Sequence, residues 1–142
     1  MAKNGTPSDI HPCLTYDDAQ AAIDWLCRTF NFEKRFVVPG PKGTVIHSEL
    51  SLGSGVVMVS SPKPEVGRYG PRDPNGAPAT ISVFVSDPDA HYSRSVAAGA
   101  EITTPIGDEE YGARGYGVRD LEGHNWYFGD YRPGEYWDET PD

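Results

Sequence analysis

The sequence predicts an α+β protein in which one βαβββ module occurs twice along the chain. Residues 10–16 alternate between apolar and polar side chains and are followed by a helical pattern. Residues 79–85 repeat this arrangement, and the acidic residues that end the two strands, Asp18 and Asp87, are 69 positions apart. Three shorter segments with the pattern of strands follow each helix. A repeat of this kind indicates one supersecondary unit present in two copies.

In the first module, an amphipathic helix follows the first strand. Its apolar residues recur at spacings of three and four, and Asp17 or Asp18 is placed to cap its N-terminus. These apolar residues are Ala22, Ile23, Leu26, Cys27 and Phe30. Three further strands are predicted at about 33–38, 44–52 and 56–60.

The second module carries clearer signals for the ends of its helix. Asp87 is a natural N-cap, Pro88 occupies the first helical position where proline is tolerated, and Gly99 is placed to end the helix. Tyr92 and Val96 form its apolar stripe. The remaining strands are predicted at about 100–104, 113–119 and 124–131.

These patterns divide the chain into four parts. Several prolines and glycines between the modules predict a surface connector, and an acidic stretch with Tyr136 and Trp137 closes the chain. The aromatic pair is expected to pack somewhere if the tail is ordered. The parts are a first module at 9–62, the connector at 63–78, a second module at 79–132 and the tail at 133–142.

The charge is strongly negative and unevenly distributed. Lys and Arg number 12 against 21 Asp and Glu, which gives −9, and residues 1–71 are balanced, so residues 72–142 carry the whole excess. Such a surface repels nucleic acid and anionic membranes, so neither is expected as a partner. It suits a cationic or polar small ligand, although an acidic surface also simply keeps a protein in solution.

Targeting signals and cysteine usage favour a cytoplasmic protein. No stretch approaches the ~20 apolar residues that a membrane span needs. The polar N-terminus has no apolar secretion core behind it. Cys13 and Cys27 stand far from any paired motif, which argues against a zinc cluster and for reduced thiols.

The closing segment of the second module carries a family resemblance. Residues 111–128 read YGARGYGVRDLEGHNWYF, with an aromatic-Gly pair, an arginine, then Arg-Asp-x-x-Gly and an aromatic strand. Together with the duplicated module, this run resembles the glyoxalase/bleomycin-resistance/dioxygenase superfamily, also called vicinal oxygen chelate proteins, and in particular its bleomycin-resistance branch. The resemblance covers about residues 9–132. Leu121 departs from it, because the family usually has proline there.

The resemblance implies a cupped, mixed eight-stranded sheet with helices on its outer face, and often a homodimer. Enzymes of the family hold a divalent metal at four positions inside the cup, which fall here on His11, Met58, Thr80 and Tyr127. Of these side chains, imidazole alone is a good ligand for such a metal. We therefore expect no metal and no cofactor, and with them no ring-cleaving dioxygenase or glyoxalase activity.

Strand alternation indicates which side chains line the cup. Ile46, Leu50 and Leu52 mark the core face of their strand, which turns His47 and Glu49 inward. His91 and His124 are expected to be surface or packing residues. The complete set of predicted ligand-binding residues is His11, His47, Glu49, Met58, Thr80, Ser82, Phe84, Arg114 and Tyr127.

The sequence supports three functional hypotheses. The first is a homodimeric small-molecule binding protein that sequesters a cationic or planar drug or metabolite without metal, as an antibiotic-resistance protein would. The second is a lyase, isomerase or dioxygenase-like enzyme with either a rearranged metal site at His11, His47 and Glu49 or metal-free acid–base chemistry at His47 and Glu49. The third is a module of a larger biosynthetic assembly. Whether the cup forms within one chain or across a dimer is left open.

Overall fold

A computed structural model describes residues 7–135, so the predicted Tyr136 and Trp137 contacts lie outside the described residues. Eight strands and two α-helices alternate as two βαβββ units, which confirms the predicted fold class. The first unit comprises β1 (Cys13–Thr15), α1 (Ala19–Phe30), β2 (Glu33–Pro39), β3 (Val45–Leu52) and β4 (Gly55–Ser60). The second comprises β5 (Thr80–Phe84), α2 (Pro88–Ala97), β6 (Glu101–Asp108), β7 (Arg114–Arg119) and β8 (Asn125–Gly129).

The strands form two mixed sheets of four, with the orders β1-β4-β3-β2 and β5-β8-β7-β6. In each sheet the first and last strands of a module pair in parallel, and the other neighbours are antiparallel. The eight predicted strands are therefore all present, in two sheets of identical topology. None of the helices among the described residues is long and apolar enough to cross a membrane.

Both helices begin where the sequence predicts. The Asp18 side chain accepts a hydrogen bond from the Ala21 amide at the start of α1, and Asp87 accepts one from Ala90 at the start of α2. Asn31 adopts the left-handed conformation that ends α1. The helices pack against the sheet faces that carry the larger apolar side chains, among them Leu50, Val57, Val59, Tyr116, Val118, Trp126 and Phe128.

One apolar core joins the two modules. The ring of Phe30, at the end of α1, lies 4.6 Å from Phe128 and 5.4 Å from Trp126, both in β8. Phe32 contacts Trp126 from the other side, with ring centroids 5.7 Å apart. Fully burying an aromatic side chain contributes about 2–3 kcal/mol, so these contacts hold the modules in one arrangement.

A buried network of acidic residues also connects the modules. Asp120 accepts hydrogen bonds from the Tyr16 hydroxyl at 2.6 Å and from Trp126 Nε1 at 3.0 Å. Both carboxylate oxygens of Glu122 accept backbone amides of the first module, at Asp17 and at its neighbour Asp18. Burial, reinforced by Asp120, raises the pKa of the Tyr16 phenol well above its usual value.

Four local expectations differ from the structure. Val96, predicted in the apolar stripe of α2, is 49% exposed, and the buried residues of this helix are Pro88, His91 and Ser95. Ile46 is predicted on the core face but is 47% exposed, because the pairing of β2 with β3 shifts there, from Val38–His47 to Pro39–Val45, and Val45 is buried instead. Strand β1 is shorter than the predicted 10–16, and Ile10 is almost fully exposed. Strand β6 extends to Asp108, beyond the predicted 100–104.

Candidate functional site

The face of the first sheet opposite α1 carries an ionic cluster beside apolar side chains. His47 Nε2 lies 3.0 Å from Glu49 Oε2, and Arg35 Nε lies 3.7 Å from the other oxygen of the same carboxylate. The Phe36 ring packs 5.8 Å from the imidazole. Strand pairing places Glu49 directly opposite Met58, so three predicted residues, His47, Glu49 and Met58, share this face.

His11 lies apart from that cluster. It precedes β1, is exposed, and is two strands away from Glu49, because β4 lies between β1 and β3. Two strand spacings correspond to about 10 Å between backbones. Across residues 7–135, no three His, Cys, Asp or Glu side chains are grouped so that they could hold a metal ion. The described chain therefore does not assemble the rearranged site of His11, His47 and Glu49.

On the second sheet, the Tyr127 side chain lies against Gly115 of the neighbouring strand β7 and against Gly129 of its own strand β8. A Cβ on Gly115 would collide with the Tyr127 phenol, and one on Gly129 would lie 2.9 Å from its Cε2 atom. The Tyr127 hydroxyl donates a hydrogen bond of 2.9 Å to Glu109 Oε2. Burial and then this carboxylate raise the pKa of Tyr127. Because these two glycines have no side chains, the Tyr127 ring can lie directly against the backbone of the sheet.

A groove of about 810 Å³ runs along β5, between the two modules. Thr80, Ser82 and Phe84, all predicted site residues, line it from β5, and Ser82 pairs in register with Tyr127. The opposite wall is the hairpin that joins β3 and β4. The other lining residues are Ile10, Pro12, Phe32, Leu52, Gly53, Ser54, Gly55, Val56, Val57, Ile81, Val83, Arg132 and Pro133.

The backbone of β5 adds polar contacts to this largely apolar groove. The Ala79 carbonyl accepts a hydrogen bond from the Asn125 amide, and the Val85 amide donates one to the Gly129 carbonyl. In a parallel pair, the backbone groups of every second residue point to the same neighbouring strand. The intervening Thr80, Ser82 and Phe84 therefore direct their N–H and C=O groups to the other edge of β5, along the groove. Apolar walls with a few placed polar groups are typical of small-molecule sites.

A second groove of about 500 Å³ adjoins the first and shares Leu52, Gly53 and Phe84 with it. Phe84 therefore stands between the two grooves. The Arg132 guanidinium stacks on the Phe84 ring, with its Cζ atom 3.6 Å from the ring centroid. Arg132 is not among the predicted site residues, because no spacing within β5 or β8 reveals that the chain after β8 returns over Phe84.

Arg114 lies away from the other predicted residues. Its guanidinium is paired with Asp89 of α2 at 2.9 Å and with Asp108 at 3.0 Å. The hydrogen bond from Arg114 lowers the pKa of Asp89, and both carboxylates raise the pKa of Arg114. All three side chains are substantially exposed, so this cluster contributes little to stability.

His91 and His124 are buried packing residues. His91 Nε2 lies 2.8 Å from the Phe30 carbonyl and Nδ1 lies 2.6 Å from the Tyr116 hydroxyl, and burial lowers the pKa of this imidazole. Nδ1 of His124 accepts the Ala79 amide at 2.8 Å, which makes the ring a fixed support for the start of β5. Their roles agree with the expectation of packing.

The four positions at which the resemblance places metal ligands carry an imidazole, a thioether, an aliphatic hydroxyl and a phenol. The Tyr127 phenol donates a hydrogen bond to Glu109, and its raised pKa disfavours the anionic form that would bind such a metal. The thioether of Met58 suits soft metals and not hard divalent ions. This donor set does not fit the divalent metal that the family's enzymes use.

Comparison with known proteins identifies the family. The family model described as Glyoxalase/Bleomycin resistance protein/Dioxygenase superfamily matches residues 10–128. The chain belongs to this superfamily.

Its similarity to individual members extends over most of its length. The uncharacterized protein Rv0887c of Mycobacterium tuberculosis is 36% identical over 132 residues, which cover 91% of this chain and 77% of that protein. TioX from Micromonospora sp. ML1 is 40% identical, with a TM-score of 0.73 over 87% of this chain and 98% of TioX. A lactoylglutathione lyase from Agrobacterium tumefaciens has 21% identity and a TM-score of 0.66, over 87% of this chain and 94% of the lyase. That likeness shows the fold alone.

Proposed function

We propose that this member of the superfamily binds and sequesters a planar small molecule without changing it. The observation that carries the proposal is the groove of about 810 Å³ along β5, which Thr80, Ser82 and Phe84 all line. Its volume lies within the range of about 300–1,000 Å³ found for small-molecule sites. Sequestration of this kind would protect a cell from a toxic compound, as an antibiotic-resistance protein does.

A homodimer would cover an apolar face of the first sheet. In the single chain, this sheet leaves Phe36 and Val38 exposed on the face that carries His47 and Glu49. These four residues line neither groove, and a second copy laid against them would cover the exposed apolar side chains. We expect twice the chain mass of 15.5 kDa in light scattering. A mass of one chain at micromolar concentration would contradict the dimer and leave the groove as the whole site.

Binding is tested by blocking the groove. Native mass spectrometry of the protein against a panel of planar drugs and metabolites should find ligands that are released with unchanged mass. Ser82→Trp fills the groove and should abolish their binding. Ser93→Trp places the same ring on the exposed side of α2, away from both grooves, and should bind as the wild type does. Equal affinity in both variants would contradict the proposed site.

The close pair of His47 and Glu49 favours one alternative, an enzyme that uses acid–base chemistry. The 3.0 Å contact places an imidazole beside a carboxylate that would hold the imidazole in one orientation. A bound compound recovered with altered mass would support this alternative. His47→Gln should then stop the conversion while the compound still binds.

A further inference from the structure

The groove along β5 differs in charge from the rest of the molecule. The second half of the chain carries the entire −9 excess, yet Arg132 provides the one ionisable side chain among the described residues that line this groove. Asp87, His91 and Arg94 line the adjoining groove. His91 is held between two buried partners, and Asp87, which is exposed and caps α2 by accepting a hydrogen bond from Ala90, is the one carboxylate among the described residues that line the two grooves.

The two grooves together therefore contain two arginines against one carboxylate. Glu135 is a further neighbour of Arg132, but its carboxylate lies 3.7 Å from the guanidinium, beyond hydrogen-bond distance, and is 45% exposed. Water screens an exposed pair of this kind and reduces its energy to at most about 1 kcal/mol. The guanidinium of Arg132 thus keeps hydrogen-bond donors for another acceptor.

Stacking on Phe84 fixes where those donors point. With Cζ 3.6 Å from the ring centroid, the planar guanidinium lies against the aromatic face, and its N–H groups extend outward from the edges of that plane. An aromatic ligand in the groove would contact Phe84 and the apolar walls, while an acidic substituent would meet these N–H groups. A cationic ligand would instead meet the charge of Arg132, in a groove that none of the described carboxylates lines.

We infer that the groove selects planar aromatic acids, with Arg132 on Phe84 as the anchor for the carboxylate, sulfonate or phenolate group. This inference rests on the proposed function and specifies its ligand class. It replaces the expectation of a cationic ligand, which followed from net charge alone. The charge that contacts the ligand determines the ligand class, because charges that lie more than about 8 Å away in solvent are screened at physiological ionic strength.

Three fluorescent probes test the inference. The anion 8-anilinonaphthalene-1-sulfonate and neutral N-phenyl-1-naphthylamine share one aromatic skeleton and differ by the sulfonate, and thioflavin T supplies a planar cation. The wild type should bind the anion tightest. Arg132→Gln should weaken binding of the anion about tenfold, or about 1.4 kcal/mol, and leave the neutral probe unchanged. Glu135→Gln should strengthen binding of the anion, and Arg68→Gln, an exposed arginine outside both grooves, should have no effect.

Other outcomes would contradict the ligand class, the binding site or the proposed function, and they can be told apart. If the neutral probe or the cation binds as tightly as the anion, or if Arg132→Gln leaves the ratio of anion to neutral affinity unchanged, the ligand class is wrong and the groove remains a binding site. If Ser82→Trp binds all three probes as the wild type does, they occupy another surface and the inference fails. If no probe binds, the proposed function fails with it.

Discussion

Replacing Asp120 by asparagine tests how the two modules are joined. One carboxylate oxygen accepts the Tyr16 hydroxyl and Trp126 Nε1, and the other accepts three backbone amides of its own turn. Asparagine offers one acceptor oxygen and one NH2 group, so in either orientation the NH2 group faces donors. At least two hydrogen bonds to a charged acceptor are lost, at about 1.5–3 kcal/mol each. We expect Asp120→Asn to cost about 3–5 kcal/mol, a large part of the usual 5–15 kcal/mol of domain stability.

A double-mutant cycle isolates the contact between the modules. Tyr16→Phe removes the 2.6 Å hydrogen bond alone and should cost about 1.5 kcal/mol in the wild type. It should cost much less in Asp120→Asn, which gives a coupling energy of about 1 kcal/mol. Guanidinium unfolding followed by tryptophan fluorescence, at one fixed protein concentration, measures all four proteins. Asp24→Asn, an exposed carboxylate on α1, is the control and should stay within about 0.5 kcal/mol of the wild type.

Two results would refute this reasoning. If Tyr16→Phe costs the same in both backgrounds, the hydroxyl and the carboxylate do not stabilise each other. If Asp120→Asn costs less than about 1 kcal/mol, water or another group satisfies the donors, and the buried network does not hold the modules together.

Three further predictions concern single positions. Burial lowers the pKa of His91, so the contribution of its neutral form to stability is complete at pH values above the ordinary pKa of about 6.5 and decreases at lower pH. The free energy of unfolding of the wild type should therefore exceed that of His91→Gln by less at pH 5 than at pH 7. Unfolding titrations should show this difference shrink by at most about 1.4 kcal/mol per pH unit. Gly115→Ala should displace Tyr127 and cost about 1–3 kcal/mol, whereas Gly107→Ala, where the added Cβ has no neighbour closer than 3.9 Å, should cost much less. Arg114→Gln should cost less than about 1 kcal/mol and leave affinity for the probes unchanged, because its partners are exposed carboxylates outside the grooves.

Periodicity alone predicted the modules and the faces of their strands. The alternation in β8 places Trp126 and Phe128 in the core and Tyr127 on the opposite face, and the structure has all three there. The caps at Asp18 and Asp87 follow from local chemistry in the same way. Such features depend on neighbours a few residues apart, so one sequence is sufficient to find them.

Contacts between distant segments could not be predicted in this way. Asp120 and Glu122 lie in the motif that carries the family resemblance, but nothing in its spacing reveals that they bind the segment at Tyr16 more than 100 residues earlier. Arg114, in the same motif, was predicted as a ligand-binding residue although the sequence does not indicate which way its side chain points. The packing of α2 beside β7 instead supplies Asp89 as its partner.

The difference between local sequence patterns and contacts of distant segments also explains why net charge is a poor guide to the class of ligand. Several acidic residues in the described part of the second half already have partners within the chain: Asp120 and Glu122 accept hydrogen bonds inside the fold, and Asp89 and Asp108 pair with Arg114 on the surface. Arg132 is held at the groove by an aromatic ring and by an exposed carboxylate beyond hydrogen-bond distance. A ligand within that groove contacts this guanidinium directly, and solvent reduces the influence of the remote carboxylates. An acidic protein can therefore present a basic site, and here one stacked arginine is sufficient to make it so.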